Sequence, residues 1–248
     1  MKIFSKRIPR ITLYMLIALS SMILFRLQLL PWYKNLINYP GNDYISWLEG
    51  LGPFIGALVL WLITGKNIKK MLLGQNPYLS LTFLIFPILA FTIIGIKNSL
   101  QINSHVYGLF WGIWILSYAI MEECGWRGYL QQEFSHKSEF VKYLIVGTFW
   151  YIWHLTFLSP TNIVNELVTW LILVAASFGI GSVYKLTQSV FAAACFHIIG
   201  NLFGLNEFFL KTLSLNQRIF IIAPCVAIWI VLIIIYRNKL KVHEVSKV

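Results

Sequence analysis

Residues 219–236 read IFIIAPCVAIWIVLIIIY and contain no charged side chain. A helix needs about 20 mostly apolar residues to cross a bilayer, so this run predicts a membrane-spanning helix. Seven further segments have a comparable length and apolar content: 11–30, 47–64, 78–96, 106–123, 141–158, 165–183 and 189–206. The sequence therefore predicts an all-α integral membrane protein of about eight transmembrane helices, with one domain over 1–248.

The composition of the whole chain supports this interpretation. Of its 248 residues, 58% are hydrophobic and only 12% are charged, whereas about 25% of residues in a soluble domain are charged. Such a chain has too few polar side chains to cover a soluble globule, which excludes a soluble enzyme and a disordered chain. The three cysteines are an odd number without CxxC spacing, which argues against a disulfide framework.

The charge distribution predicts the orientation of the helices. Lys and Arg number 20 against 9 Asp and Glu, for a net charge of +11. With the N-terminus in the cytoplasm, the predicted inner segments carry most of these cations, as the positive-inside rule requires. We therefore expect a cell-membrane protein with both termini cytoplasmic and with membrane lipids as partners. No basic run is interleaved with aromatic residues, so nucleic acid is not an expected partner.

Two adjacent carboxylates stand at the inner end of the predicted fourth span, in the sequence MEECGWRGYL (121–130). Glu123 and Arg127 are spaced i,i+4, which predicts an ion pair on one helical face. Glu122 lies about 100° around the helix from Glu123, so it is less tied to the arginine. A charged side chain inside a membrane is costly and marks a candidate functional site. The alternative is that these residues only form a charged helix end.

Two further polar positions fall inside predicted spans. His154 lies in WYIWHLTF (150–157), and His197 and Asn201 lie in CFHIIGN (195–201), where their i,i+4 spacing puts them on one face. Buried polar groups need partners, so we expect these side chains and Glu122 to lie together in the helix bundle. Their burial in three different apolar segments predicts a polar site rather than three unrelated core residues.

This set of side chains suits the hydrolysis of a peptide or another acyl bond. A carboxylate beside an imidazole can hold and deprotonate a water, and a second histidine with an asparagine can donate hydrogen bonds to an oxyanion. The alternative is a zinc site with Glu122, His154 and His197 as ligands. Asparagine is a poor zinc ligand, which favours the oxyanion role for Asn201. The sequence has neither an HExxH helix nor a GxSxG motif.

The ordered motifs resemble those of the CPBP family, also called the Abi or CAAX-protease-and-bacteriocin-processing family. The resemblance extends over about 50–205 and includes the GPFIGAL segment at 52–58. EECGWR resembles the motif EExxxR, WYIWH resembles FxxxH with Trp in place of Phe, and HIIGN resembles HxxxN. The matching positions are Glu122, Glu123, Arg127, Trp150, His154, His197 and Asn201.

The resemblance implies an intramembrane endopeptidase with a water-accessible cavity open to the cytoplasm and no required metal. It implies that Glu122 is the base, that His154 is its partner on the water, and that His197 and Asn201 are the oxyanion donors. The remaining motif residues, Glu123, Arg127 and Trp150, become supporting residues, with the tryptophan packing its helix.

The expected substrate is a membrane-associated peptide or protein. Bacterial members of the family are linked to bacteriocin self-immunity and to the processing of peptides or surface proteins, and the Ile-, Lys- and Asn-rich composition is typical of an AT-rich bacterium. Two alternatives stay open. One is a non-catalytic immunity or partner-binding protein on the same scaffold. The other is a transporter, because intramembrane Glu and His also line ion paths.

Overall fold

The computed structural model describes residues 6–33, 43–158 and 162–245. Over these ranges the chain is all-helical, with 11 α-helices and no strand, which confirms the all-α part of the predicted fold class. The helices are α1 (Arg7–Arg26), α2 (Leu51–Thr64), α3 (Ile68–Leu73), α4 (Pro77–Ile94), α5 (Ser104–Glu123), α6 (Gln131–Glu133), α7 (Glu139–His154), α8 (Ile163–Thr187), α9 (Val190–Gly200), α10 (Glu207–Thr212) and α11 (Leu215–Val245). Two π-helical turns, Cys124–Leu130 and Asn201–Leu205, extend α5 and α9.

The number of helices that can cross a membrane differs from the prediction of eight. Among the described residues, six runs are long and apolar enough: Arg7–Arg26, Trp47–Thr64, Pro77–Ile94, Ser104–Glu133, Ile163–Thr187 and Leu215–Arg237. This is the pattern of a multi-pass membrane protein. The predicted spans 141–158 and 189–206 are wrong in length, since α7 has 16 residues and the apolar helical run that begins with α9, Val190–Gly204, is also shorter than 18 residues.

Local backbone geometry explains why these two helices are short. α7 stops because Leu155 adopts the left-handed conformation, with φ of 53°, and a short 3₁₀ turn (Thr156–Leu158) follows. The run that begins with α9 starts at Val190, where the side chain of Ser189 accepts a hydrogen bond from the Ala192 N–H, and it ends because Asn206 adopts an extended conformation, with φ of −125° and ψ of 109°. Hydropathy alone does not report either boundary.

The chain forms two compact units. The first comprises Met1–Ile68 and Met121–Gly181, and the second comprises Lys69–Ile120 and Ser182–Val248. In the first unit, α1 packs against α2 through Gly52, where a Cβ would lie 2.5 Å from the carbonyl oxygen of Ala18. The hydroxyl of Ser21 accepts a hydrogen bond from the Gly52 N–H at 3.1 Å. The small residue therefore permits direct contact between the two helix backbones.

A charged cluster links α1 to α6 in the first unit. Glu133 is 4% exposed, and its Oε2 lies 2.7 Å from Nη2 of Arg10. Arg7 and Lys66 each place a nitrogen 3.9 Å from a carboxylate oxygen of Glu133. Burial lowers the pKa of Lys66, while the neighbouring carboxylate of Glu133 opposes that shift. One buried carboxylate therefore connects the start of α1, the turn after α2 and the end of α6.

The second unit has an apolar core around a proline in α4. Pro87 cannot donate the N–H that would bond to the carbonyl oxygen of Phe83 four residues earlier. Two side chains supply the missing donors, Nε1 of Trp229 at 3.2 Å and Sγ of Cys195 at 3.3 Å. All three cysteines are free and buried.

Candidate active site

The EExxxR motif lies inside a long helical run rather than at its end. α5 continues through the π-helical turn Cys124–Leu130 to Glu133, so the run Ser104–Glu133 is 30 residues long. The predicted boundary at residue 123 is therefore wrong, and Arg127, which lies beyond that boundary, is a fully buried residue of the same helical run. The helix continues past the charges because they are paired within the protein. π-Helical turns are rare in proteins overall, and those that occur are often found at functional sites.

The predicted ion pair forms within this turn. Nη1 of Arg127 lies 3.0 Å from Oε1 of Glu123, and neither side chain is exposed. The guanidinium also lies 4.8 Å above the ring of Trp150, in cation–π geometry. Glu123 is therefore the carboxylate whose charge is matched by the arginine.

Glu122 has different partners from its neighbour. Its side chain is 1% exposed. Its Oε2 accepts a hydrogen bond from Nε1 of Trp150 at 2.8 Å and another from Nε1 of Trp126 at 3.2 Å. Both donors are neutral, so Glu122 is held by hydrogen bonds from two indoles while its neighbour is ion-paired.

Two tryptophans thus have a polar contact that sequence reasoning missed. Trp150 was expected to pack its helix, and it is buried, but its N–H also reaches Glu122. Trp126 stands four positions after Glu122, the same spacing that predicted the pair of Glu123 with Arg127, so the i,i+4 rule could have found it. No spacing rule could have found Trp150, which lies 28 residues further along the chain.

His154 is the last residue of α7 and has a defined ring orientation. Its Nδ1 lies 2.8 Å from the carbonyl oxygen of Trp150. A carbonyl only accepts, so Nδ1 carries the hydrogen, and Nε2 has the lone pair in the neutral ring. The ring also meets Trp153 edge to face, with centroids 5.0 Å apart. This tautomer suits a histidine that accepts a proton through Nε2.

The π-helical turn also packs closely against α1 and α2. A Cβ at Gly125 would lie 2.5 Å from the hydroxyl oxygen of Tyr14 and 2.7 Å from Cβ of Pro53. Tyr14 is fully buried, its ring contacts the ring of Trp126 at 5.8 Å, and its hydroxyl has no hydrogen-bond partner among the described residues. Sequence reasoning missed Tyr14, because an isolated tyrosine in a predicted first span carries no signal of this contact.

The third motif lies in the second unit. His197 is 2% exposed and Asn201 is 4% exposed, on the same face of α9 and of the π-helical turn that follows. In the part of the chain that the structure describes, Nδ2 of Asn201 has no hydrogen-bond partner. The meeting of these two side chains with Glu122 and His154 stays a prediction.

A metal site is the alternative use of the same residues. Over 6–33, 43–158 and 162–245, no group of three or more His, Cys, Asp or Glu side chains is placed to hold a metal ion. The zinc alternative likewise stays a prediction.

Comparison with known proteins identifies the region that holds these motifs. Residues 104–203 match the family model described as type II CAAX prenyl endopeptidase Rce1-like. This segment is an Rce1-like domain of the CPBP/Abi family. The predicted family resemblance is thereby confirmed. Comparisons with curated proteins and with solved structures give no match.

The limits of the Rce1-like domain fit the motifs closely. The domain begins at the first residue of α5 and ends just after Asn201, so it contains all three motifs. It is shorter than the region 50–205 that the sequence resemblance suggested, and it leaves out the GPFIGAL segment. The family of this domain implies a CAAX-type protease that acts in a lipid environment on a protein substrate.

Proposed function

We propose that this protein is an intramembrane endopeptidase that cleaves a membrane-associated peptide or protein with a water activated by Glu122 and His154. The observation that carries the proposal is the difference between the two adjacent carboxylates of the Rce1-like domain. In the part of the chain that the structure describes, Glu123 is ion-paired with Arg127 at 3.0 Å, whereas the hydrogen bonds to Glu122 come from two neutral N–H donors. An ion pair favours the charged form of a carboxylate, and of these two neighbours it is Glu123 that has the arginine within ion-pair distance.

The proposed reaction begins when Glu122 takes a proton from the bound water, with His154 as its partner. The resulting hydroxide attacks the carbonyl carbon of the scissile bond, and the C–N bond breaks when the tetrahedral intermediate collapses. The proton then passes to the leaving amine, so the carboxylate is regenerated. For His197 and Asn201, the role of oxyanion donors stays the prediction from the HxxxN motif.

We propose the cell membrane of a bacterium as the location and either bacteriocin self-immunity or peptide and surface-protein processing as the role. A lipid-anchored or membrane-embedded substrate fits a buried base, because burial excludes bulk water and soluble peptides from the carboxylate. The favoured mechanism requires no metal, and a zinc-dependent reaction is the alternative that the experiment separates.

The test is a cleavage assay with the purified protein in lipid nanodiscs and a quenched library of lipid-anchored peptides. Wild type, Glu122→Gln and Glu207→Gln are compared, with and without a strong chelator. The glutamine keeps the size of the side chain but cannot take a proton, so we expect a loss of about 10²–10⁴-fold. Glu207 is 82% exposed in an i,i+4 pair with Lys211, so its variant controls for the loss of a carboxylate.

Each outcome bears on a different part of the proposal. Cleavage at the wild-type rate by Glu122→Gln would refute the role of Glu122 as the base. Loss of cleavage on chelation, with recovery on addition of zinc, would favour the metal mechanism. In cells, immunity that survives Glu122→Gln would favour the non-catalytic, partner-binding alternative.

A further inference from the structure

Two indole N–H groups converge on one oxygen of Glu122. Trp150 donates from α7 at 2.8 Å, and Trp126 donates from the π-helical turn at 3.2 Å; both bonds end on Oε2. An indole nitrogen can donate a hydrogen bond but cannot accept one. A carboxylate oxygen has two lone pairs in the plane of the group, and two donors occupy both of them.

This arrangement makes the two oxygens of Glu122 chemically different. Oε2 has to remain an acceptor as long as both indoles donate to it, so a proton on this carboxyl group is carried by Oε1. We propose that Trp126 and Trp150 are positioning residues that hold Oε2 of Glu122, so that Oε1 is the oxygen that takes the proton from the water. The inference rests on the proposed function and specifies which atom of the base reacts.

The two donors are themselves fixed by contacts within the first unit. The guanidinium of Arg127 lies 4.8 Å above the ring of Trp150. The ring of Trp126 meets the rings of Tyr14 and Trp153 edge to face, each at 5.8 Å. Both indoles are almost fully buried, so neither can turn its N–H to solvent. Both donors are neutral, so the carboxylate is oriented by hydrogen bonds rather than by a direct ion pair.

The proposal also assigns a function to the indole N–H of Trp150. The motif that this segment resembles has Phe there, and a phenyl ring has no N–H to donate. The chain therefore has a hydrogen bond to its candidate base that a phenylalanine at this position could not form. Trp150→Phe is accordingly the sharpest test, because it restores the residue of the motif and removes only the donor and part of the ring.

The kinetic arm compares Trp150→Phe and Trp126→Phe with Trp229→Phe. Trp229 is equally buried and donates to a backbone carbonyl at 3.2 Å, but it lies in the core of the second unit. We expect kcat to fall about 10- to 100-fold in Trp150→Phe, and less in Trp126→Phe because of its longer bond, with KM within about twofold. The control should keep its kcat within about twofold, and the melting temperature of each variant is measured alongside.

A spectroscopic arm tests the contact without any need for activity. The protein is labelled with ¹⁵N in its indole nitrogens, and the resonances of Trp126, Trp150 and Trp229 are assigned by their absence in the three phenylalanine variants. Glu122→Ala should move the first two resonances and leave the third in place.

The outcomes separate this inference from the proposed function. The inference is overturned if Glu122→Ala moves neither indole resonance, or if kcat falls no more in Trp150→Phe than in the Trp229 control. Retained cleavage by Glu122→Gln would overturn the proposed function instead, even where the indole resonances do move. A fall in kcat together with both shifts supports the assignment.

Discussion

Replacing Arg127 with Met should be among the most destabilising single changes in the first unit. The guanidinium and Glu123 are both fully buried and 3.0 Å apart. Removing one partner of a buried pair leaves an uncompensated charge and costs about 3–5 kcal/mol. Losing the contact with the ring of Trp150 adds about 1–2 kcal/mol. The total loss is thus at least about 4 kcal/mol. A loss of 1 kcal/mol lowers the melting temperature by about 2–4 °C, so it should fall by at least about 8 °C.

A double-mutant cycle isolates the pairwise energy. Glu123→Leu alone leaves a buried guanidinium, but the adjacent Glu122 remains as a second carboxylate, so its cost should be smaller than that of Arg127→Met. The double variant Glu123→Leu/Arg127→Met removes both charges from the apolar environment. Replacing both partners of a buried pair by apolar residues is often neutral, so the double variant should be more stable than Arg127→Met alone.

The assay is thermal unfolding in nanodiscs followed by tryptophan fluorescence, and the chain itself supplies a matched control. Glu207 and Lys211 form an i,i+4 pair at 2.7 Å with side chains 82% and 70% exposed. Lys211→Met should change the melting temperature by about 1 °C at most, because exposed pairs contribute little. Two results would refute the reasoning: an equal fall in melting temperature in Lys211→Met and Arg127→Met, or a double variant that is less stable than Arg127→Met.

Three further changes have definite expected outcomes. Gly125→Ala should lower the melting temperature, since its Cβ would meet the hydroxyl oxygen of a buried tyrosine at 2.5 Å, whereas Gly179→Ala, with nothing within 4 Å, should raise it slightly; equal effects would contradict the close packing. Glu133→Gln should cost about 1.5–3 kcal/mol in chemical unfolding, because a buried carboxylate loses a charged hydrogen bond; an unchanged midpoint would contradict this. The hydrogen bond from Lys211 lowers the pKa of Glu207, so the pair's small contribution to stability is present above about pH 4.5 and is lost as the pH falls. Melting temperatures of wild type and Glu207→Gln, measured across this pH range, should therefore converge at low pH.

The sequence by itself determined the class of the protein and the residues of its candidate site. Eighteen-residue apolar runs have to be buried in lipid or in protein, whatever their tertiary arrangement, so the membrane class follows from composition. The pairing of Glu123 with Arg127 was predictable as well, because i,i+4 neighbours on a helix meet without help from the rest of the fold. The three ordered motifs were sufficient to indicate the family.

Only the tertiary structure decided how far the helices run and what holds Glu122. The helix continues past Arg127 because buried pairing offsets the charges that a hydropathy window counts as a boundary. The short α7 depends on a left-handed residue at 155, which no apolar pattern reports. The hydrogen bond from Trp150 joins residues 28 positions apart. Contacts of this kind depend on how helices pack, and local periodicity carries no information about packing between distant segments.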